Sequence, residues 1–244
     1  VSTYLTEAIT LKTHALGEHD KILVLFSREH GLRRAIAKGA RRPQSKIGGR
    51  SEPLCHNQWQ LARGKRMDVI VQCETIDSHR KLRVDFDRLM AGMYVTEATG
   101  ACIDELQPYP EVFDALSAIL TLLETTPAVE LAVLWYELHL LELLGYRPEF
   151  EACVHCEAEL GATCAFHAEL GGGLCESCAP MLRGLRLLPG TLAVMRMLQG
   201  MPHPPVGGVS ATPALLANAR AAMRDAIACR TEIRLKTVDL LSRL

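Results

Sequence analysis

Two Cys-x-x-Cys pairs lie in the second half of this 244-residue chain, Cys153 with Cys156 and Cys175 with Cys178, with 18 residues between the pairs. Each pair can set two thiolates on one turn, and two such turns close a tetrahedron around a single ion about 2.3 Å from sulfur. The spacing lies in the treble-clef and ribbon range for structural zinc, so one Zn2+ is expected here. Gly171, Gly172 and Gly173 are read as giving the backbone freedom to bring the second turn round. A catalytic zinc would need an open position and a general base close by. Four cysteines fill the shell. The His-x-Glu of nucleotide deaminases has no productive place either, because His167-Ala168-Glu169 follows the first pair outside a Pro-Cys-x-x-Cys partnership. Cys164 and His167 stand as alternative ligands. A redox role is disfavoured, because two pairs so close together favour metal.

The second stretch is Arg28 to Arg50, REHGLRRAIAKGARRPQSKIGGR, with eight Lys or Arg against the single acid Glu29. Its first part alternates like a strand. Its second part cannot, since Pro43 and Gly48-Gly49 break regular structure. A strand therefore delivers its positive charge into a flexible basic loop. Arg33, Arg34, Lys38, Arg41, Arg42, Lys46 and Arg50 are the candidate contacts to a nucleic-acid backbone. The bland alternative is an ordinary solvated, charged hairpin. No aromatic residue occurs between 28 and 50. Phe26 and Trp59 are the nearest, and both read as core, so phosphate gripping is expected to outweigh base stacking.

These residues need elements to hold them. Segments 4–14, 21–27, 32–39, 54–63 and 67–73 read as five short strands, with one long connection between the third and fourth. Five strands fit an OB-fold barrel, whose surface commonly binds single-stranded nucleic acid. From Ser78 the period becomes helical. Helices are expected over 80–102, 111–123, 128–144, 191–199 and 213–243, the last broken near Cys229 to Thr231, with Gly145 ending the third. Ser210 or Thr212 can cap the last. Their apolar circumference predicts a bundle. The fold class expected is α+β and multidomain: a barrel over 1–78, a helical part over 79–150, the zinc module over 151–182 and a second helical part over 183–244. His139 reads as a packed or capping residue. Arg220, Arg224, Arg230, Arg234 and Lys236 read as solvated helix surface.

Charge is distributed unevenly. Residues 1–80 carry 14 Lys and Arg against 8 Asp and Glu, a surplus of six, while the remainder carries 13 against 20. A basic first third on an acidic remainder points to a polyanionic partner for the first third alone. No apolar run of 18 residues occurs, so no membrane span is expected. The opening VSTYLTEAITLK lacks the form of an export signal, and nine cysteines are an odd number, so a reducing cytoplasm is expected. Neither a Gly-x-x-x-x-Gly-Lys-Ser/Thr loop nor a Gly-x-Gly-x-x-Gly turn is present, and no nucleophilic triad can be assembled. No catalytic residue is assigned.

The first fifty residues resemble the bacterial RecO family of DNA repair proteins. The resemblance is carried by Gly17-Glu18-His19-Asp20 before an apolar strand, Glu29-His30-Gly31 before the basic strand, and Lys38-Gly39-Ala40-Arg41-Arg42 followed by Ser45. Helices, a cysteine-pair module and a final helical segment follow in the family's order. The resemblance implies a cytoplasmic, nucleoid-associated recombination mediator. Such a protein binds single- and double-stranded DNA, anneals complementary strands and joins RecR. It also reads the acidic tail of single-stranded DNA-binding protein on its helical region and helps load recombinase. A zinc-dependent nucleic-acid-modifying enzyme and a pure protein scaffold are the competing readings.

Overall fold

The computed structural model describes residues 2–105, 107–205, 209–231 and 235–237. It divides into two compact units, with the boundary between Glu124 and Thr125. Among the described residues no helix is long and apolar enough to cross a membrane.

The first unit opens with β1 (Thr3–Leu16), β2 (Asp20–Ser27), β3 (Gly31–Ala37), β4 (His56–Ala62) and β5 (Asp68–Asp77). They form a closed barrel in the order β1-β2-β3-β5-β4, with β4 returning to β1. The five strands and the long third connection match expectation, and the architecture is that of an OB-fold. Alternation places Leu23 and Leu25 of β2, Ala35 and Ala37 of β3, and Trp59 and Leu61 of β4 in one interior cluster. Gly17 and Gly31 make the two tight turns at φ +59° and +67°. At Gly31 a Cβ would lie 2.2 Å from the Gln107 carbonyl oxygen, so only glycine fits there.

Two helices complete this unit. The 80–102 segment is not one helix. A 3-10 turn at Arg80–Val84 precedes α1 (Phe86–Cys102), because the Asp85 carboxylate accepts the Asp87 and Arg88 N–H groups and starts a new helix. α2 (Pro110–Leu123) begins on a proline whose missing N–H costs nothing at a helix start. Its Phe113 meets Phe26 and His56 edge-on, 5.6 and 5.5 Å between ring centroids.

The second unit contains α3 (Val129–Leu143), β6 (Cys164–His167), β7 (Gly172–Cys175), α4 (Ala179–Leu182), β8 (Leu185–Arg186), α5 (Thr191–Gln199) and α6 (Pro213–Ala228). α3 is buried nearly all round and packs on α5 and α6. Gly145, at φ +82°, ends it in a Schellman motif: the Gly145 N–H reaches the Glu142 carbonyl and the Tyr146 N–H reaches that of Leu141. His139 stacks on Trp135 at 4.0 Å. α6 is capped by Thr212 and stops at Ala228, at the break expected near Cys229 to Thr231; most of the 232–243 part of that stretch lies outside the described residues.

The basic series on that stretch also needs correction. Arg220 is not solvated surface. It is buried on the inner side of α6 and pairs with Glu130 at 3.0 Å. Arg230 lies over the Tyr146 ring at 4.4 Å. Arg234 lies outside the described residues. Arg220→Ala should cost about 2 kcal/mol in urea denaturation, the usual loss for a broken buried pair reduced by Glu130's partial access to water. Arg224→Ala should stay within about 0.5 kcal/mol.

Candidate nucleic-acid interface and metal centre

The 38–55 connection, expected to be flexible, is a chain of hydrogen-bonded turns. Asp20 accepts the Gly39 N–H at 2.7 Å, and the His19 carbonyl accepts that of Arg41 at 2.9 Å. Ser45 Oγ accepts the Ile47 and Gly48 N–H groups. Ala40 is buried and Ile47 packs on the barrel core, so two apolar residues tack the loop down. Between these anchors Lys38, Arg41, Arg42, Lys46 and Arg50 are exposed. The Arg41 guanidinium donates to the Gly17 carbonyl and that of Arg50 to the Cys73 carbonyl. Both bonds are to neutral acceptors, so the charges stay uncompensated.

The remaining cations of the basic stretch are placed differently. Arg28 forms a two-pronged pair with Asp114 of α2 at 2.9 and 2.8 Å, which holds the Asp114 carboxyl below its usual range. Arg34 is exposed and ion-paired with Glu105. Arg33 shares the register of the core residues Ala35 and Ala37, is half-buried, and leaves its Nε without a partner.

Arg33 lies at a second basic patch that sequence reading missed. β3 and β5 run parallel, with Ala35 opposite Asp68, so the β4–β5 turn comes alongside the start of β3. That turn exposes Arg63, Lys65 and Arg66. Tyr4 sits there, donating its hydroxyl to Asp68 at 2.5 Å, with the Arg63 guanidinium 4.8 Å from its ring centroid and His30 against its edge. Burial and then the Asp68 bond push the Tyr4 hydroxyl up to about 12. Residues 4, 30, 33, 63 and 68 are too scattered in the chain for any local motif to unite them. Phe26 and Trp59 are fully buried, as read from the sequence.

In the second unit the four predicted cysteines converge. Their sulfurs all lie within 4.8 Å of one another, and Cys156 Sγ is 3.7 Å from Cys175 Sγ. A tetrahedron with 2.3 Å bonds has edges of about 3.8 Å, so the spacing already suits an ion. Cys164 and His167 are not part of the cluster. Cys164 instead pairs with Cys175 across the β6–β7 hairpin and is buried. Burial alone would raise the Cys153 thiol, but backbone N–H groups at Cys175, His155 and Cys156 bring it down to about 6. Hydrogen bonding with the Cys156 and Cys175 sulfurs pushes Cys178 up to about 12. Four thiolates at this distance repel one another, so full ionisation requires a cation between them.

The glycine triplet does a different job from the one read in the sequence. Only Gly171 has positive φ. A Cβ on Gly172 would meet Val154 Cγ1 at 2.4 Å, and one on Gly173 would meet Leu160 Cδ1 at 2.2 Å. These two glycines let the hairpin press against the first cysteine turn, where the Val154 N–H reaches the Gly173 carbonyl.

Comparison with known proteins agrees with this geometry. Residues 1–79 match the model for the Recombination protein O N terminal and residues 83–239 that for the Recombination protein O C terminal. The chain belongs to the RecO family. DNA repair protein RecO of Pelotomaculum thermopropionicum is 32% identical over 241 residues, covering 98% of this chain and 94% of the relative. That of Desulforamulus reducens is 32% identical over 243 residues, covering 99% and 94%. That of a Nocardioides species is 40% identical over 183 residues, covering 72% and 74%.

Replacing Cys175 with Ser, or stripping metal with a chelator, should open the cysteine module alone. Hydrogen exchange should show lost amide protection over residues 149–187 and unchanged protection in the barrel strands, because strands of two to four residues depend on whatever closes the cysteine turns.

Proposed function

We propose that this chain is a non-enzymatic DNA-binding recombination mediator. It would bind single- and double-stranded DNA, anneal complementary strands, act with RecR and, through its helical region, with the acidic tail of single-stranded DNA-binding protein, and help load recombinase onto coated strands. The working compartment is the cytoplasm, at the nucleoid. Residues 1–78 carry the DNA contact. Residues 79–150 and 183–244 are helical parts that precede and follow, along the chain, the 151–182 module, in which Cys153, Cys156, Cys175 and Cys178 hold one structural Zn2+.

One observation carries the reading. Lys38, Arg41, Arg42, Lys46 and Arg50 stand exposed on an anchored barrel connection, with no carboxylate among the described residues bonded to them. Arg34 and Lys38 are roughly 13 Å apart along β3, at about 3.3 Å per residue. A nucleic-acid strand laid along the outward face of β3 would meet Arg34, beside the Arg63, Lys65 and Arg66 turn, at one end and the 38–50 loop at the other. Annealing requires two polyanions to be brought together without preference for sequence, and phosphate contacts supply that. Zinc suits the cysteine module because thiolates at tetrahedral spacing select it, and a four-sulfur shell leaves no position for an activated water. A hydrolase or deaminase reading therefore draws no support from the cysteine module.

Charge reversal at Lys38, Arg42 and Lys46 tests the reading, since none of these side chains is part of the fold's internal bonding. If about six phosphates are neutralised, affinity for DNA should fall roughly 10³-fold between 50 and 200 mM salt, and the triple variant should lower the salt slope on single strands by roughly 2. Annealing of complementary strands should slow in parallel. A folded variant with wild-type affinity and salt slope would sink the proposal and leave an acidic protein as the partner of this face.

A further inference from the structure

The end of β5 and the end of α2 bring together three residues that neither the cysteine module nor the basic loop uses. Asp77, His79 and Glu124 each offer one ligand atom, and these atoms lie within 4.8 Å of one another, inside the first compact unit. His79 is fully buried, yet among the described residues neither ring nitrogen has a hydrogen-bond partner. Its Nδ1 is 3.7 Å from Asp77 Oδ2, too far for a hydrogen bond. A buried imidazole with both nitrogens unpartnered is costly, and native proteins rarely keep one without something to bind it.

The surroundings hold this imidazole in place. His79 is in the left-handed region at φ 43°, ψ 48°; its own N–H donates to Asp77 Oδ1 at 2.8 Å and its carbonyl accepts the Leu82 N–H at 3.2 Å. Glu124 follows the last residue of α2, where the helix presents its negative end, and its Oε1 accepts the Lys81 N–H. The nearby guanidinium of Arg83 is engaged by the Pro53 carbonyl and Cys55 sulfur, and that of Arg88 donates to the Leu123 carbonyl. Two carboxylates and a helix C-terminus thus face one neutral nitrogen donor. Asp77 is 43% exposed, so water can reach the site and complete a coordination shell.

We propose that Asp77, His79 and Glu124 form a second cation site, taking a divalent ion of the manganese-to-zinc series through one imidazole nitrogen and two carboxylate oxygens. The imidazole argues against magnesium and calcium, which take oxygen ligands, and the lack of thiolate sets this site apart from the cysteine module. Donors at 2.1 Å around one ion sit about 3.4 Å apart in a tetrahedron; the His79–Asp77 pair, at 3.7 Å, is close to that spacing, and since all the donors lie within 4.8 Å of one another, the other pairs would draw in by at most about 1.4 Å. The bound ion would tie the end of a barrel strand to the end of α2 and satisfy the buried ring.

The test uses the whole chain with its cysteine module already filled by one equivalent of Zn2+, titrated with Co2+ and followed by absorption. A second equivalent should bind with weak visible bands and no sulfur-to-cobalt charge transfer, which separates it from exchange into the cysteines. Glu124→Gln and Asp77→Asn, both isosteric and partly exposed, should each weaken that second equivalent by at least about tenfold, the loss already seen when a residue merely supporting a ligand is changed. His79→Ala should abolish it. Failure of the wild-type chain to take a second ion, or unchanged affinity in the folded Glu124→Gln variant, would overturn the proposal.

Discussion

Closure of the barrel rests on a short parallel contact. Ala35 and Ile36 of β3 lie against Asp68 and Val69 of β5, while every other neighbouring pair in the barrel is antiparallel. Were that contact open, β3 and β5 would each present an unpaired edge of N–H and C=O groups, an invitation to non-native pairing. Closed, it also determines where charge goes. β3 has its register fixed on both sides, by β2 and by β5. Arg33 must therefore follow Ala35 and Ala37 toward the interior, while Arg34 turns away to meet Glu105. The 38–50 connection leaves from the far end. Two groups of cations are thereby set at opposite ends of one strand by backbone pairing, independently of how the side chains themselves move.

Much of this was legible in the residues. Period-two alternation located the strands, and the two Cys-x-x-Cys pairs located all four converging sulfurs, because local patterns and fixed spacings survive folding. What was not legible depends on partners distant in the chain. Nothing around Arg220 separates it from Arg224; one is buried and faces the partly exposed Glu130, ninety residues away. Arg28 belongs by sequence to the basic stretch and by structure to a pair with Asp114. The Tyr4 patch draws on five separate positions. The break at Asp85 did have a local signal, an N-cap residue ahead of a helical run, which the continuous apolar period concealed.

In the second unit, short strands are held by a small buried apolar set, Phe150, Leu160, Phe166, Leu174 and Leu187, beside the converging cysteines. β6 and β7 have four residues each and β8 has two. Strands this short cannot hold together alone. Close approach of Gly172 to Val154 and of Gly173 to Leu160 brings the hairpin onto the first cysteine turn, and the second turn leads directly into α4. The glycines matter for the absence of a side chain rather than for flexibility, a distinction that composition alone does not reveal.

The anchored loop bears on how a face like this could hold a polyanion. A loose basic segment would lose backbone entropy on each encounter, and that loss would be subtracted from the counterion gain. Here Asp20, Ser45, Ala40 and Ile47 have already restrained the backbone during folding. The remaining freedom lies in the Lys and Arg side chains, whose reach lets them follow phosphates at varied spacing. A rigid backbone with mobile charged tips suits contact with any sugar-phosphate chain, and it is indifferent to base sequence as long as its Lys and Arg stay on phosphates and off base edges. On the proposed function this indifference is required: a factor that pairs two strands must release the bases to each other, so its own contacts have to stay on the backbone.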